Sequence, residues 1–139
     1  MKKVIILLLI ISASQLCRAQ NSLINTKWSV TSLYDKSLDT LISNRDQALE
    51  TCELHFKTKT LLVNTCNEFT LSYKVQKNKI LLSDYPPGLQ AAFCGGGFSN
   101  AIEEYVYAKM KNPVTFEIKD NLLLIKTLDS SVITCTKMK

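Results

Sequence analysis

The sequence predicts an α+β domain: a strongly curved, mostly antiparallel sheet of about eight short strands, barrel-like, with one main helix packed on it or plugging it. Three observations carry this. Short runs of β-branched, aromatic and leucine residues follow one another with alternating polarity. Asn, Asp, Gly and Pro punctuate them at close intervals. A single segment, NAIEEYVYAKMK, switches to helical period.

Taken in order, KWSVTSLY (Lys27 to Tyr34) reads as the first strand, with Trp28, Val30 and Ser32 on one face and Ser29 and Thr31 on the other. Asp35 to Glu50 is too irregular to assign, apart from a short helical turn in RDQALE. CELHFK, TLLVN, FTLSYKV and NKILLS then follow as strands. The third is the clearest, with Phe69, Leu71, Tyr73 and Val75 opposite Thr70, Ser72 and Lys74. Gln76-Lys77-Asn78-Lys79 joins the last two as a hairpin, and Tyr85-Pro86-Pro87-Gly88 breaks the sheet. In the helix, Ile102, Tyr105, Val106 and Met110 form the inner stripe, while Glu103, Glu104, Lys109 and Lys111 cover the outside. Asn100 is the expected cap, and Asn112-Pro113 the stop. VTFEIK, LLLIKTL and SVITCTKM, with turns at Asp120-Asn121 and Asp129-Ser130, close the chain as a three-strand meander.

The first 19 residues read as a secretory signal peptide: Lys2 and Lys3, the apolar run Val4 to Ile11, and a small-x-small site at Cys17-Arg18-Ala19. The apolar run is well short of the ~20 residues a spanning helix needs, so the mature chain is not expected to insert stably in a membrane. Large Leu16 before Cys17 argues against lipid anchoring there. Residues 20–139 form one domain, exported to the periplasm or beyond. Loss of Lys2, Lys3 and Arg18 leaves 14 basic against 12 acidic residues, a net charge of +2. With lysines scattered along the strands and no basic cluster interleaved with aromatics, nucleic acid is not an expected partner.

Four cysteines remain after cleavage, Cys52, Cys66, Cys94 and Cys135, an even number in a chain bound for an oxidising compartment. No Cys-x-x-Cys spacing occurs, which disfavours a redox pair or the usual zinc grouping, and no metal or cofactor is expected. Four cysteines allow three pairings. Alternation places Cys52 with Leu54 and Phe56, and Cys135 with Ile133, both inward, while Cys66 and Cys94 sit in loop-like surroundings. The expected disulfides are therefore Cys52–Cys135 and Cys66–Cys94.

Chemistry is sparse. Gly95, Gly96 and Gly97 before the helix could form an anion- or ligand-binding corner, since free backbone N–H groups gather there. The motif lacks the Gly-Lys-Ser/Thr of a phosphate loop, and a sharp turn from a disulfide into the helix accounts for the glycines equally well. His55, the sole histidine, falls on the outer face with Glu53 and Lys57 and reads as solvated. Glu103 and Glu104 diverge on the helix and read as solubilising charge. No nucleophile signature is present, so no catalytic residue is assigned and an enzyme is not expected.

The order of INTKWSV, LHFKTKTLLVNTCNEFTLSYKVQKNKILLS, a cysteine ahead of the helix, and VTFEIKDNLLLIK resembles the META domain family of HslJ-like proteins over nearly the whole mature chain. Trp28, Cys66-Asn67, Cys94 and Leu122 with Leu124 stand at the family's positions. The chain departs from it at Asn25 and Thr65, where glycine is usual, and at Gln90, Ala92 and Phe93. The resemblance implies a compact β-rich α+β domain in the envelope or outside it, linked in some members to heat stress, antibiotic tolerance or virulence, without catalytic residues. The expected role is protein interaction or stress-related stabilisation, as a monomer with an unidentified envelope partner. The alternative is a lipocalin-like carrier of a small apolar ligand, against which the helix before the last three strands argues, since the usual carrier barrel places its helix after the eighth strand.

Overall fold

The computed structural model describes residues 23–44, 51–87 and 97–139. Nine strands form one antiparallel sheet: β1 (Thr26–Asp35), β2 (Thr40–Ser43), β3 (Glu53–Phe56), β4 (Thr60–Asn64), β5 (Glu68–Gln76), β6 (Lys79–Ser83), β7 (Val114–Lys119), β8 (Leu122–Lys126) and β9 (Val132–Lys137). The helix α1 (Phe98–Lys109) lies between β6 and β7. Strands β3 to β9 pair in sequence order, and β9 returns to β1 from Trp28↔Lys137 to Tyr34↔Val132. The sheet therefore closes into an eight-stranded barrel, the curved sheet that the eight legible strands called for.

The ninth strand is an addition. Half of one β1 edge, Thr26 to Ser29, pairs with β3, and the other half, Ser32 to Asp35, pairs with β2. The polar stretch after Asp35 thus contains a hairpin that periodicity did not reveal, because β2 has only four residues and two of them are exposed. The helical turn expected in RDQALE lies outside the described residues.

A register shift against β9 between Val30 and Ser32 changes which β1 side chains face inward. Trp28 and Val30 are buried as strict alternation requires, but past the irregularity it is Leu33, not Ser32, that enters the core. One extra residue in a strand rotates everything after it to the opposite face.

Inward residues from every barrel strand meet those of α1 in one core. Trp28, Phe56, Leu61, Leu71, Leu123 and Ile125 are essentially inaccessible, as are Ile102 and Val106 from the helix and Met110 just past its end. Eight strands enclose a space that side chains can just fill. At roughly 25 cal/mol per Å² of apolar surface, each large side chain in it contributes about 1.5–3 kcal/mol. Phe56 and Tyr73 meet edge to face, their ring centroids 5.3 Å apart, and the Tyr73 hydroxyl donates to the Lys57 carbonyl at 2.6 Å.

The helix begins earlier than the expected Asn100 cap. Gly97 precedes Phe98 with φ of 112°, a backbone region that favours glycine, and no side chain caps the end. Starting at Phe98 lets that fully buried ring join the core. Helix α1 covers the barrel end formed by the β4–β5 turn, the β8–β9 turn and the β1–β2 hairpin. Strands β6 and β7, which flank the excursion, share only two paired positions, Lys79↔Thr115 and Ile80↔Val114. No described helix is long and apolar enough to cross a membrane.

Candidate functional site

The expected Cys52–Cys135 disulfide is not formed: both residues are buried thiols. Alternation correctly turned both inward, but strand order keeps them apart. Val30 donates to the Cys52 carbonyl at 2.8 Å on one side and pairs with Cys135 on the other, so β1 runs between them. Two strand spacings amount to about 9–10 Å, beyond the 4.4–6.8 Å between Cα atoms that a disulfide spans. The Cys52 thiol instead lies 3.4 Å from the Ser99 hydroxyl at the start of α1. Cys94, Gly95 and Gly96 lie outside the described residues, and with them the Cys66–Cys94 pairing and most of the glycine corner.

Glu103 is where the sequence misled most. It is not on the outer face but buried, its carboxylate accepting hydrogen bonds from Thr65 Oγ1 at 2.8 Å and from Asn67 Nδ2. These partners come from the β4–β5 turn, 36 and 38 positions away, which helical period alone cannot reveal. Next to this cluster, Tyr107 packs on Phe69 and Tyr85 with ring centroids 5.1 and 5.5 Å apart. Burial pushes the Tyr85 phenol up to about 12 and raises Tyr107, with Glu103 adding negative charge beside the latter. Among the described residues, both hydroxyls are buried without a hydrogen-bond partner.

His55 does face outward. Its Nε2 lies 3.0 Å from Glu53 Oε2, which also receives Lys27 Nζ at 3.0 Å. Lys27 on β1, rather than Lys57, completes the trio because Lys27 pairs directly with His55 across the strands. Partial burial raises the Glu53 carboxyl, but the hydrogen bonds and charges of Lys27 and His55 outweigh it and hold the group below the usual range. The three side chains form an ion-pair cluster on the barrel wall. Among the described residues, no group of three His, Cys, Asp or Glu side chains is arranged to hold a metal.

An apolar groove lies between the β1–β2 hairpin and α1. Leu33 and Ile42 form one wall, and Ala101, Tyr105 and Ala108 the other, around a groove of about 230 Å³. Two alanines seven residues apart leave the helix face shallow, which is why a groove exists there. The turn is fixed by Asp35, whose carboxylate accepts from the backbone N–H groups of Ser37 at 2.8 Å and Leu38 at 3.3 Å. The hydrogen bond from the Ser37 hydroxyl is the main reason its carboxyl sits below the usual range. Tyr34 braces the far side, its hydroxyl donating to Asp39 at 2.6 Å. Held this way, the hairpin presents Leu38 and Leu41 to solvent, 72% and 66% exposed.

Charge around the groove is lopsided. Asp35 and Glu104 stand on its rim, while Lys109 is paired with Asp129. Asp129 also accepts from the Thr127 hydroxyl and the Ser131 backbone, and Tyr105 donates to Thr127 at 3.0 Å. This network fastens the end of α1 to the β8–β9 turn and fixes the groove's helical wall. A small-molecule site usually measures ~300–1,000 Å³, so this groove suits one or two side chains of a partner. A larger, half-open cleft of about 590 Å³ lies on the barrel wall beside Thr58, Lys59, Tyr73 and Lys74.

No family model matches the chain, and no curated protein matches it. Two solved structures share its fold. An NMR structure of a protein from Burkholderia xenovorans is 14% identical, with a TM-score of 0.66 and 88% of each chain covered. A second NMR structure is likewise 14% identical with a TM-score of 0.66, covering 84% of this chain and 92% of the other. At this identity the likeness extends to the barrel and its helix.

Proposed function

We propose that the chain is an exported, non-catalytic binding module of the META/HslJ-like type, which receives a protein partner in the groove between the β1–β2 hairpin and α1. The observation that carries this is the exposure of Leu38, which lines the apolar groove, on a braced hairpin whose Leu41 is exposed on the opposite strand face. Large apolar side chains held in solvent next to a recess mark interaction surfaces more than they serve folding. The edge of β2 away from β1 has no strand partner among the described residues. It can accept an extended segment by main-chain hydrogen bonds. With Asp35 and Glu104 on the rim, the fitting segment carries a leucine-like anchor flanked by lysine or arginine.

The carrier alternative needs a roomy apolar interior. Here Trp28, Phe56, Leu61, Leu71, Leu123 and Ile125 occupy that space. The barrel architecture is common to both readings; the filled interior favours the binding module.

The test is a peptide array of short segments that vary one apolar position and its charged neighbours, probed with wild type and with Leu38→Asp and Leu41→Asp. The expected result is selection of apolar-plus-basic segments, lost in both variants while their thermal midpoints stay at the wild-type value. Selection of nothing above background, or binding that survives both substitutions, would overturn the proposal.

A further inference from the structure

The barrel gathers at one end lysines that the sequence scatters. In an antiparallel meander alternate connections fall at the same end, so the β3–β4, β5–β6 and β7–β8 turns, the start of β1 and the end of β9 lie together, opposite α1. They bring Lys57 and Lys59, Lys77, Lys119, and Lys137 and Lys139 to one rim, all exposed. The ion pairs among the described residues are Lys27–Glu53, His55–Glu53 and Lys109–Asp129, so none neutralises these six. Asp120 is the one carboxylate in these turns. At the helix-covered end stand Asp35, Asp39, Glu68, Glu104 and Asp129. A mature net charge near +2 therefore conceals a strongly dipolar molecule.

We propose that this lysine rim docks the protein on an anionic lipid bilayer, leaving the α1 end and its groove facing away. Two observations select a bilayer among polyanions. First, Leu122, 45% exposed, stands beside Lys119 at the rim, an apolar group that can enter the headgroup layer while lysine stems lie along it. Second, the rim turns carry no aromatic side chain on which a base could stack, the usual partner of lysine in binding single-stranded nucleic acid.

The wall cleft next to the rim adds a place for a headgroup. Lys59 and Lys74 supply charge and Thr58, Ser72 and Ser83 hydroxyls, beside apolar Ile24, with Asp84 as an opposing carboxylate. Electrostatics also sets the direction: the acidic end is repelled by the surface that attracts the lysines.

The experiment is co-sedimentation of the purified chain with vesicles of phosphatidylcholine alone and of phosphatidylcholine mixed with phosphatidylglycerol. Each lysine near such a surface is worth about five-fold in partitioning. The quadruple variant Lys57→Gln, Lys59→Gln, Lys77→Gln, Lys119→Gln should therefore lose more than ~100-fold. Substituting Lys36 and Lys126, which lie away from the rim, should leave binding unchanged. Because all these side chains are exposed, circular dichroism should show an unaltered fold. The expected pattern is retention on the anionic vesicles, abolished at about 1 M salt, where the Debye length is about 3 Å. Equal retention on both vesicle types, wild-type binding by the quadruple variant, or tighter binding to duplex DNA or heparin than to the anionic vesicles would overturn it. These outcomes do not depend on the hairpin groove, which Leu38→Asp probes separately.

Discussion

Glu103 accepts the amide of Asn67 in a forked hydrogen bond, Nδ2 lying 3.0 Å from Oε1 and 3.1 Å from Oε2, and so ties α1 to the β4–β5 turn. With Thr65 donating to the same carboxylate, this buried side chain is held by neutral donors from the β4–β5 turn. Removing it strands those donors. Glu103→Ala is expected to cost about 1–3 kcal/mol, whereas Glu104→Ala, one position on, should stay within about 0.5 kcal/mol. Urea unfolding of the two variants checks this; equal effects would mean that the cluster contributes nothing.

Acid stability should fall through Asp129. Lys109, then Thr127 and the Ser131 backbone, hold its carboxyl well below the usual range. A depressed folded-state pKa contributes stability that is present above about pH 4, the unfolded value, and is lost as pH falls below it. Asp35 and Glu53 are shifted in the same direction. Asp129→Asn should flatten the stability curve below pH 4 relative to wild type. An unchanged acid limb would show the pair to be fully screened.

The alkaline limb belongs to tyrosine. Burial pushes both Tyr105 and Tyr85 up to about 12. A raised folded-state pKa gives stability that is complete below pH 10 and declines as pH rises toward 12. Absorbance near 295 nm should show these two phenols titrating late, with Tyr105→Phe and Tyr85→Phe each removing one late component.

Thiol chemistry distinguishes the cysteines of the domain. Cys52 and Cys135 are fully buried, and burial pushes the Cys135 thiol far up, so alkylation under native conditions should be very slow. In denaturant without reductant, both should react at once, while Cys66 and Cys94 are recovered as one disulfide-linked peptide. A mass map joining Cys52 to Cys135 would contradict the strand order.

His55→Ala should change stability by no more than ~1 kcal/mol, since Lys27 still pairs with Glu53. A larger loss in thermal denaturation, or any loss of function, would reopen an active role for the histidine.

The strands were legible because each has a half-buried face, as in β5, where Phe69, Leu71 and Tyr73 alternate with exposed or half-buried neighbours. Strand β2 was not, because its Leu41 faces water and leaves no alternation to read. The inner stripe of α1 was read from its period, yet Glu103 joined that stripe. A charged residue enters a core only where distant donors meet it, and the order of residues does not disclose that Thr65 and Asn67 do so. The hairpin groove was hidden for a related reason: it is a gap between segments far apart in the chain, defined by two alanines that look ordinary in sequence.

The sequence by itself determined the eight barrel strands, the helix and the inward faces of Cys52 and Cys135, since these follow from polarity repeating at the period of each element. Which strands become neighbours, and which turns share an end, is a property of the closed barrel. Tertiary structure alone therefore decided that β1 separates two inward cysteines, that a glutamate is buried, that Leu38 borders a groove against the helix, and that scattered lysines converge on one rim.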